Sequence, residues 1–284
     1  MKYDTLISVH DAASRIGDPD WLFFDCRYTL GDGGKGRRDY AAGHLPGALF
    51  ASLDDDLASP HVPGVTGRHP LPAKEVWVET LSRWGIHPAT QIVAYDAGVG
   101  QSAAGRLWWM LKWAGHDRVA VLDGGLPCWV AAGQSLATET PSHRQAGRFV
   151  PRWRDDMQVS AAEVAARLAA GSATVLDARA VERFRGDVEP IDPVAGHIPG
   201  AISAPFTANI TPSGLMAPVS TLAGRFDALA PGRRAEDVIL YCGSGVSAIQ
   251  NALAFAHTGR GIPRLYPGSW SEWVTDPSRP VARS

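Results

Sequence analysis

The stretch A-G-H-L-P-G-A (Ala42–Ala48) returns as A-G-H-I-P-G-A (Ala195–Ala201). Working outward, each copy sits in the same surroundings. Upstream, Ser8-Val-His-Asp11 opens an apolar-periodic stretch that leads into L-F-F-D-C-R, ending at Arg27. Ser160-Ala-Ala-Glu163 leads likewise into T-V-L-D-A-R, ending at Arg179. Ser8 to Ser160 and Asp25 to Asp177 share one offset, 152 residues. Each segment reads as a helix opened by an S-x-x-[D/E] cap and followed by a short buried strand. Downstream, I-V-A-Y-D (Ile92–Asp96) and V-I-L-Y-C (Val238–Cys242) are runs of parallel-strand type. Each enters a Gly/Ser loop and then a helix, with Leu107, Met110, Leu111 and Ala114 in one copy and Ile249, Ala252, Leu253 and Ala256 in the other at i, i+3, i+4, i+7. L-D-G-G-L-P-C-W and L-Y-P-G-S-W-S-E-W close the two copies. Strands alternating with helices, twice over, predict an α/β fold of two tandem domains, each a mostly parallel sheet flanked by helices.

The chain has 284 residues, room for two domains of ordinary size. The segment Thr138–Asp156 breaks the pattern and is rich in Arg and Pro, which predicts domains over 1–138 and 158–284 with a linker over 139–157. Its F-V-P-R-W could instead pack on a domain as an extended arm. Asp54–Pro72 is too long for a simple αβ connection and is expected to be functional or mobile. Net charge is −2, so the basic footprint of a nucleic-acid binder is missing. No apolar run is long enough to span a bilayer, and Asp4 precedes any stretch resembling a secretory signal. A cytoplasmic protein without nucleic-acid or membrane partners is expected. The three cysteines, Cys26, Cys128 and Cys242, suit neither a disulfide framework nor a zinc site, so no metal and no cofactor are expected.

The copies differ most in the loop after I-V-A-Y or V-I-L-Y. Copy one continues D-A-G-V-G-Q-S; copy two continues C-G-S-G-V-S-A. Asp96 stands where Cys242 stands. In an open α/β sheet, ligands bind beyond the carboxyl ends of the strands, where loop amides and a helix N-terminus converge. Gly243, Ser244, Gly245, Val246 and Ser247 let the backbone curl around the sulfur; such a nest favours a thiolate, and the same cradle would also hold a sulfur-bearing anion. The alternative is an inert buried cysteine, the reading given to Cys26 and Cys128. Gly31–Arg38 (G-D-G-G-K-G-R-R) lacks the spacing of a phosphate loop and reads as a mobile loop. His44 and His197 recur in both copies although only one has the loop cysteine, so both read as architectural. Asp177 and Arg179 read as a structural pair, and Trp108, Trp109 and Trp113 as core and interdomain contact rather than a substrate box.

With A-G-H-[L/I]-P-G-A in each half, P-G-S-W-S-E-W at the end and one loop cysteine in the second half, the chain resembles the two-domain rhodanese-like sulfurtransferases. The resemblance implies that Cys242 takes a sulfane sulfur as a persulfide and passes it to cyanide or to a thiol, either a small thiol or a thioredoxin-like protein. C-G-S-G-V-S-A is similar to the loop of the 3-mercaptopyruvate enzymes. Thiosulfate-preferring rhodaneses usually carry two cations where Gly243 and Ser244 stand. The resemblance further implies a proton relay of Ser244, His69 and Asp54, and a carboxylate contact from Arg183, with Arg185 a weaker second contact. Another arginine, frequent a few residues on in the mercaptopyruvate enzymes, has no counterpart in E-P-I-D-P-V-A-G-H. His69 and Asp54 come from the first half of the chain and the cysteine from the second. Thiosulfate sulfurtransferase activity and a non-catalytic persulfide carrier remain as alternatives. A cysteine phosphatase would need an arginine six residues after the cysteine, where Ala248 stands.

Overall fold

A computed structural model describes residues 2–141 and 145–284; residues 142–144 of the expected linker lie outside it. The chain divides into two compact units. The first comprises Met1–Ser59, Leu71–Arg154 and Pro212–Leu215; the second comprises Pro60–Pro70, Asp155–Thr211 and Met216–Ser284.

In the first unit the chain runs β1 (Leu6–Ile7), α1 (Val9–Ala13), β2 (Trp21–Asp25), α2 (Lys35–Ala42), β3 (Leu49–Phe50), α3 (Lys74–Arg83), β4 (Gln91–Tyr95), α4 (Ala103–Trp113), β5 (Val119–Leu122) and α5 (Gly125–Ala131). The sheet order is β1-β5-β4-β2-β3, with every paired strand parallel. The second unit runs α6 (Ala161–Ala169), β6 (Thr174–Asp177), α7 (Val181–Arg185), β7 (Ile202–Ser203), α8 (Val219–Leu229), β8 (Val238–Tyr241), α9 (Ala248–His257), β9 (Arg264–Leu265) and α10 (Ser269–Trp273). Its sheet, β7-β6-β8-β9, is parallel throughout and repeats the β3-β2-β4-β5 portion of the first. Where β1 adds a fifth strand beside β5, the second unit has a parallel bridge between Gln158 and Leu265. No helix among the described residues is long and apolar enough to cross a membrane.

The duplication extends to individual hydrogen bonds. Ser8 Oγ accepts from Asp11 N–H at 3.1 Å, and Ser160 forms the full reciprocal box with Glu163. Arg27 grips Asp25 with Nε and Nη2 and donates onward to Gly43 O at 2.6 Å. Arg179 does the same to Asp177 and to Gly196 O at 2.7 Å. Tyr95 Oη accepts from Leu45 N–H at 3.1 Å, and Tyr241 Oη from Ile198 N–H at 3.2 Å. His44 stacks on Tyr40 with ring centroids 3.9 Å apart, and His197 on Phe184 at 3.8 Å. Each histidine also hydrogen-bonds, through Nδ1, the carbonyl of the ring residue it stacks on. These histidines fasten the turns before β3 and β7, the architectural role read from their recurrence.

Two sequence readings change. Lys35–Arg38 belongs to α2 and is not a mobile loop. The glycine at 36 is what permits this, since a methyl group there would lie 2.0 Å from Arg27 O, so the helix packs directly on the end of β2. The F-V-P-R-W stretch takes the second option raised for it, as an arm of the first unit. Phe149 is buried, Arg152 and Arg154 N–H donate to Ala114 and Trp113 carbonyls, and Trp153 lies 4.5 Å from Trp113 between ring centroids. α4 is buried on every side, Trp108, Trp109 and Trp113 included, so its i, i+3, i+4 pattern understates how much of it is core.

Candidate active site

β8 is fully buried and delivers Cys242 to its carboxyl end, six residues before α9 begins at Ala248. Burial of β8 comes from Val238, Ile239, Leu240 and Tyr241, four residues that pack on both faces of a parallel strand. Cys242 itself is only 1% exposed. The loop 242–247 then curls tightly. Gly245 has φ +73°, and a methyl group on it would lie 2.2 Å from Pro267 O, so the left-handed turn and the close backbone approach both demand glycine.

The equivalent loop in the first unit shows what such a curl accommodates. Asp96, in the cysteine's place, accepts backbone N–H bonds from Gly98 at 2.9 Å and Ser102 at 3.0 Å. Burial pushes its carboxyl up, and the loop amides, Gly100 and Ala104 included, work in the opposite direction. The first copy thus fills the nest with its own carboxyl group, whereas the second presents a sulfur.

The segment after β9 fixes the cysteine's backbone. Leu126 N–H donates to Asp96 O and Trp270 N–H to Cys242 O, each at 3.0 Å, so Gly125 and Ser269 are equivalent positions. Gly125 has φ +58°; Ser269 has φ +55° and is the only non-glycine residue with positive φ among those described. A side chain there costs about 1 kcal/mol of strain. In return Ser269 Oγ accepts from Cys242 N–H at 3.1 Å and donates to Tyr266 O at 3.0 Å. Ser271 continues the bracket, its N–H donating to Gly243 O at 2.9 Å and its Oγ accepting from Arg68 N–H at 3.1 Å.

Pro60–Pro70 folds as part of the second unit, and it brings His69 to the loop. His69 Nδ1 and Ser244 Oγ are hydrogen-bonded at 2.9 Å, with the residues 7% and 8% exposed. The glycine at 67 lets this segment close up, because a methyl group there would lie 2.4 Å from Gly268 O. Arg68 and Arg183 both reach Gly243. A methyl group on that glycine would sit 2.7 Å from Arg68 Nη2 and 3.6 Å and 3.7 Å from the terminal nitrogens of Arg183.

Arg183 lies on α7 and is held by carboxylates. Its Nε and Nη2 donate to Glu189 at 3.2 Å and 2.7 Å, and Nη2 also donates to Asp192 at 3.0 Å. Arg68 pairs with the other oxygen of Asp192, and Arg179 reaches Glu189 at 3.3 Å. Burial is the largest single influence on Glu189 and works against its ionisation, but the hydrogen bonds and charge of Arg183, with the Asp192 and Ile191 amides, together outweigh it and hold the carboxyl below its ordinary range. For Asp192 burial wins: the carboxyl is pushed up although Arg68 and Arg183 pull the other way.

The second unit therefore brings together Cys242, Gly243, Ser244, Gly245, Val246, Ser247, His69 and Arg183. Asp54 belongs to the first unit, where Oδ2 lies 2.8 Å from the place a Cβ on Gly33 would take. Burial, with Asp55 beside it, raises its carboxyl. Arg185 is exposed at the end of α7. Cys26 is fully buried at the end of β2, and burial followed by nearby Asp25 pushes its thiol well up, as for an inert cysteine. Sequence reasoning passed over Arg68, Asp192, Ser269 and Ser271. For Arg68 the available signal was adjacency to His69. For Ser269 it was a serine opposite a glycine.

The rhodanese-like domain family model matches twice, over residues 8–132 and 160–276. A Pseudomonas aeruginosa protein named "Probable 3-mercaptopyruvate sulfurtransferase" is 48% identical over 283 residues, covering 99% of each chain. A Mycobacterium tuberculosis protein named "Putative thiosulfate sulfurtransferase SseB" is 42% identical over 284 residues, covering 98% of this chain and 96% of that one. The structure of SseA from Escherichia coli, a 3-mercaptopyruvate sulfotransferase by its description, superposes with a TM-score of 0.80 at 28% identity. That match covers 95% of this chain and all of the other. The chain belongs to the rhodanese-like family, as a sulfurtransferase that carries the domain twice.

Proposed function

We propose that the protein moves a sulfane sulfur from 3-mercaptopyruvate through a Cys242 persulfide to a thiol or cyanide. The observation that carries this reading is the buried 2.9 Å contact between His69 and Ser244, two residues from the cysteine. In the first half-reaction the Cys242 thiolate attacks the donor's sulfur. The carbon–sulfur bond breaks, its electron pair passes to carbon, and the sulfur stays as Cys242–S–SH. The resulting enolate of pyruvate needs a proton, which Ser244 supplies while a protonated His69 gives its own proton to the Ser244 oxygen. In the second half-reaction an acceptor thiolate takes the outer sulfur and releases the Cys242 thiolate. Arg183 binds the donor's carboxylate. A thioredoxin-like protein or a small thiol in the cytoplasm is the proposed acceptor.

Thiosulfate is the second reading, favoured by the guanidinium groups of Arg68 and Arg183 over Gly243. Thiosulfate leaves as sulfite and requires no carbon to be protonated, so it would leave the serine–histidine pair without work. Steady-state kinetics with the two donors side by side test the assignment. The expected result is a preference for 3-mercaptopyruvate of at least ~10-fold in kcat/KM, about 1.4 kcal/mol of transition-state discrimination. Equal or inverted ratios would sink the donor assignment.

A further inference from the structure

The F-V-P-R-W arm does more than cover α4. Arg152 N–H donates to Ala114 O at 2.9 Å, and a methyl group on Gly115 would lie 2.5 Å from Arg152 O, so the arm closes down on the turn between α4 and β5. Between arm and turn, wholly within the first unit, lies a cavity of about 330 Å³ whose lining includes Pro88, His116, Asp117, Arg118, Phe149 and Arg152. Its charges do not cancel. Asp117 is the one carboxylate of that lining among the described residues, and it is already engaged. Arg154 grips both of its oxygens at 2.8 Å, and Lys112 Nζ lies 3.7 Å from one of them. Burial pulls the Lys112 ammonium down to about 8, so at pH 7 it still adds positive charge. Burial lowers His116 as well, and its Nε2 is hydrogen-bonded with Thr90 O at 2.9 Å, so the imidazole is neutral. Arg118 and Arg152 have no ion pair among the described residues, and Arg118 Nε is buried there without a hydrogen-bond partner.

The repeated fold does not ask for these arginines. Val93 pairs with Ala120, and its counterpart Ile239 pairs with Arg264, an offset of 144 residues that also relates Gly115 to Gly259, both at positive φ. By that offset Arg118 stands where the second copy has Ile262, so the turn folds without a guanidinium. We propose that the cavity binds a small phosphate monoester, its phosphate held by Arg118 and Arg152 and its organic body lying against Pro88, Phe149 and the His116 ring. The inference goes beyond sulfur transfer and does not rest on it. A phosphate monoester carries about −1.5 to −2 charges at pH 7, which matches two uncommitted guanidinium groups. Each guanidinium can donate a parallel pair of hydrogen bonds to phosphate oxygens. At ~30 Å³ per water the cavity has room for about eleven waters, more than a bare oxyanion fills. Phe149 is buried and its ring centroid lies 6.3 Å from that of His116, which gives the remaining space a flat, largely apolar wall.

The test is calorimetric titration of the full-length protein with phenyl phosphate and, separately, with inorganic phosphate. Wild type should bind phenyl phosphate with a Kd below about 1 mM, and inorganic phosphate at least ~10-fold more weakly for want of a ring to bury. Arg118→Met and Arg152→Met should each weaken phenyl phosphate binding by ~10-fold or more, as the loss of charge-assisted hydrogen bonds requires. Arg183→Met, which removes a guanidinium beside Gly243, should keep this binding. Thermal melts confirm folding; Arg152 is exposed, so its variant decides should Arg118→Met fail to fold. Absence of phenyl phosphate binding in wild type, equal affinity for the two phosphates, or wild-type affinity in both Arg118→Met and Arg152→Met would overturn the inference. Binding abolished by Arg183→Met would place the anion beside Cys242 and overturn it too.

Discussion

Replacing His69 with alanine separates a proton-relaying histidine from one that merely props the loop. The hydrogen bond to Ser244 Oγ is a single contact at 2.9 Å between two nearly buried residues. As a structural contact it is worth about 0.5–1.5 kcal/mol, at most about a tenfold effect on any rate that depends on loop position. As a proton path, its loss costs about 10²- to 10⁴-fold, the range for general acid–base catalysis. The two roles therefore differ in size, and they differ in donor dependence as well. Single-turnover measurements with 3-mercaptopyruvate should show the rate of sulfur uptake falling by ~10²-fold or more. Turnover with thiosulfate, whose sulfite leaves without a carbon to protonate, should fall by about tenfold or less. A melt within a few degrees of wild type would accompany this, as expected for one buried hydrogen bond. Equal losses with both donors would mean that His69 only positions the loop, and the relay would have to be abandoned.

Ser269→Gly should leave stability changed by less than about 1 kcal/mol, because relief of its positive φ offsets the lost hydrogen bonds. Its sulfur-transfer rate should drop by severalfold as the Cys242 amide loses its anchor; a variant as fast as wild type would refute that role. Arg154 grips Asp117 with two hydrogen bonds of 2.8 Å and holds its carboxyl at about 2, although burial works against it. The folded carboxyl gives up its proton more readily than the unfolded one, so the stabilisation is complete above about pH 4 and is lost as the pH falls through about 2. Both side chains are 38% exposed, and screening leaves only about 0.5–1 kcal/mol. Urea melts of Arg154→Met should therefore show a deficit of that size at pH 7 that shrinks towards pH 2.5; a deficit constant with pH would refute the assignment.

The parts legible in the sequence were those fixed by neighbours along the chain. Ser160 and Glu163 are three residues apart, Asp177 and Arg179 two, and the loop after β8 carries its own glycines. Repetition added the rest of the fold, since Tyr95 and Tyr241 could be matched without knowing what either touches. Contacts across long separations were hidden. Arg68 meets Asp192, 124 residues on, and nothing in the local pattern of either residue announces the pairing. E-P-I-D-P-V-A-G-H could be seen to lack an arginine, but not that Glu189 and Asp192 within it hold arginines from elsewhere. Gly31–Arg38 misled because its glycines look like conformational freedom, whereas Gly36 serves a close approach of α2 to Arg27. Pro60–Pro70, read with the first half because it lies there in the chain, folds with the second.

The most direct test of the account is the intact mass of the protein after exposure to 3-mercaptopyruvate with no acceptor present. Wild type should gain one sulfur, about 32 Da, and lose it when a thiol is added, as a covalent-intermediate mechanism requires. Cys26→Ser and Cys128→Ser should gain the same mass, and Cys242→Ser should gain none. Sulfur retained by Cys242→Ser, or missing from Cys26→Ser or Cys128→Ser, would contradict the assignment of Cys242 as the nucleophile.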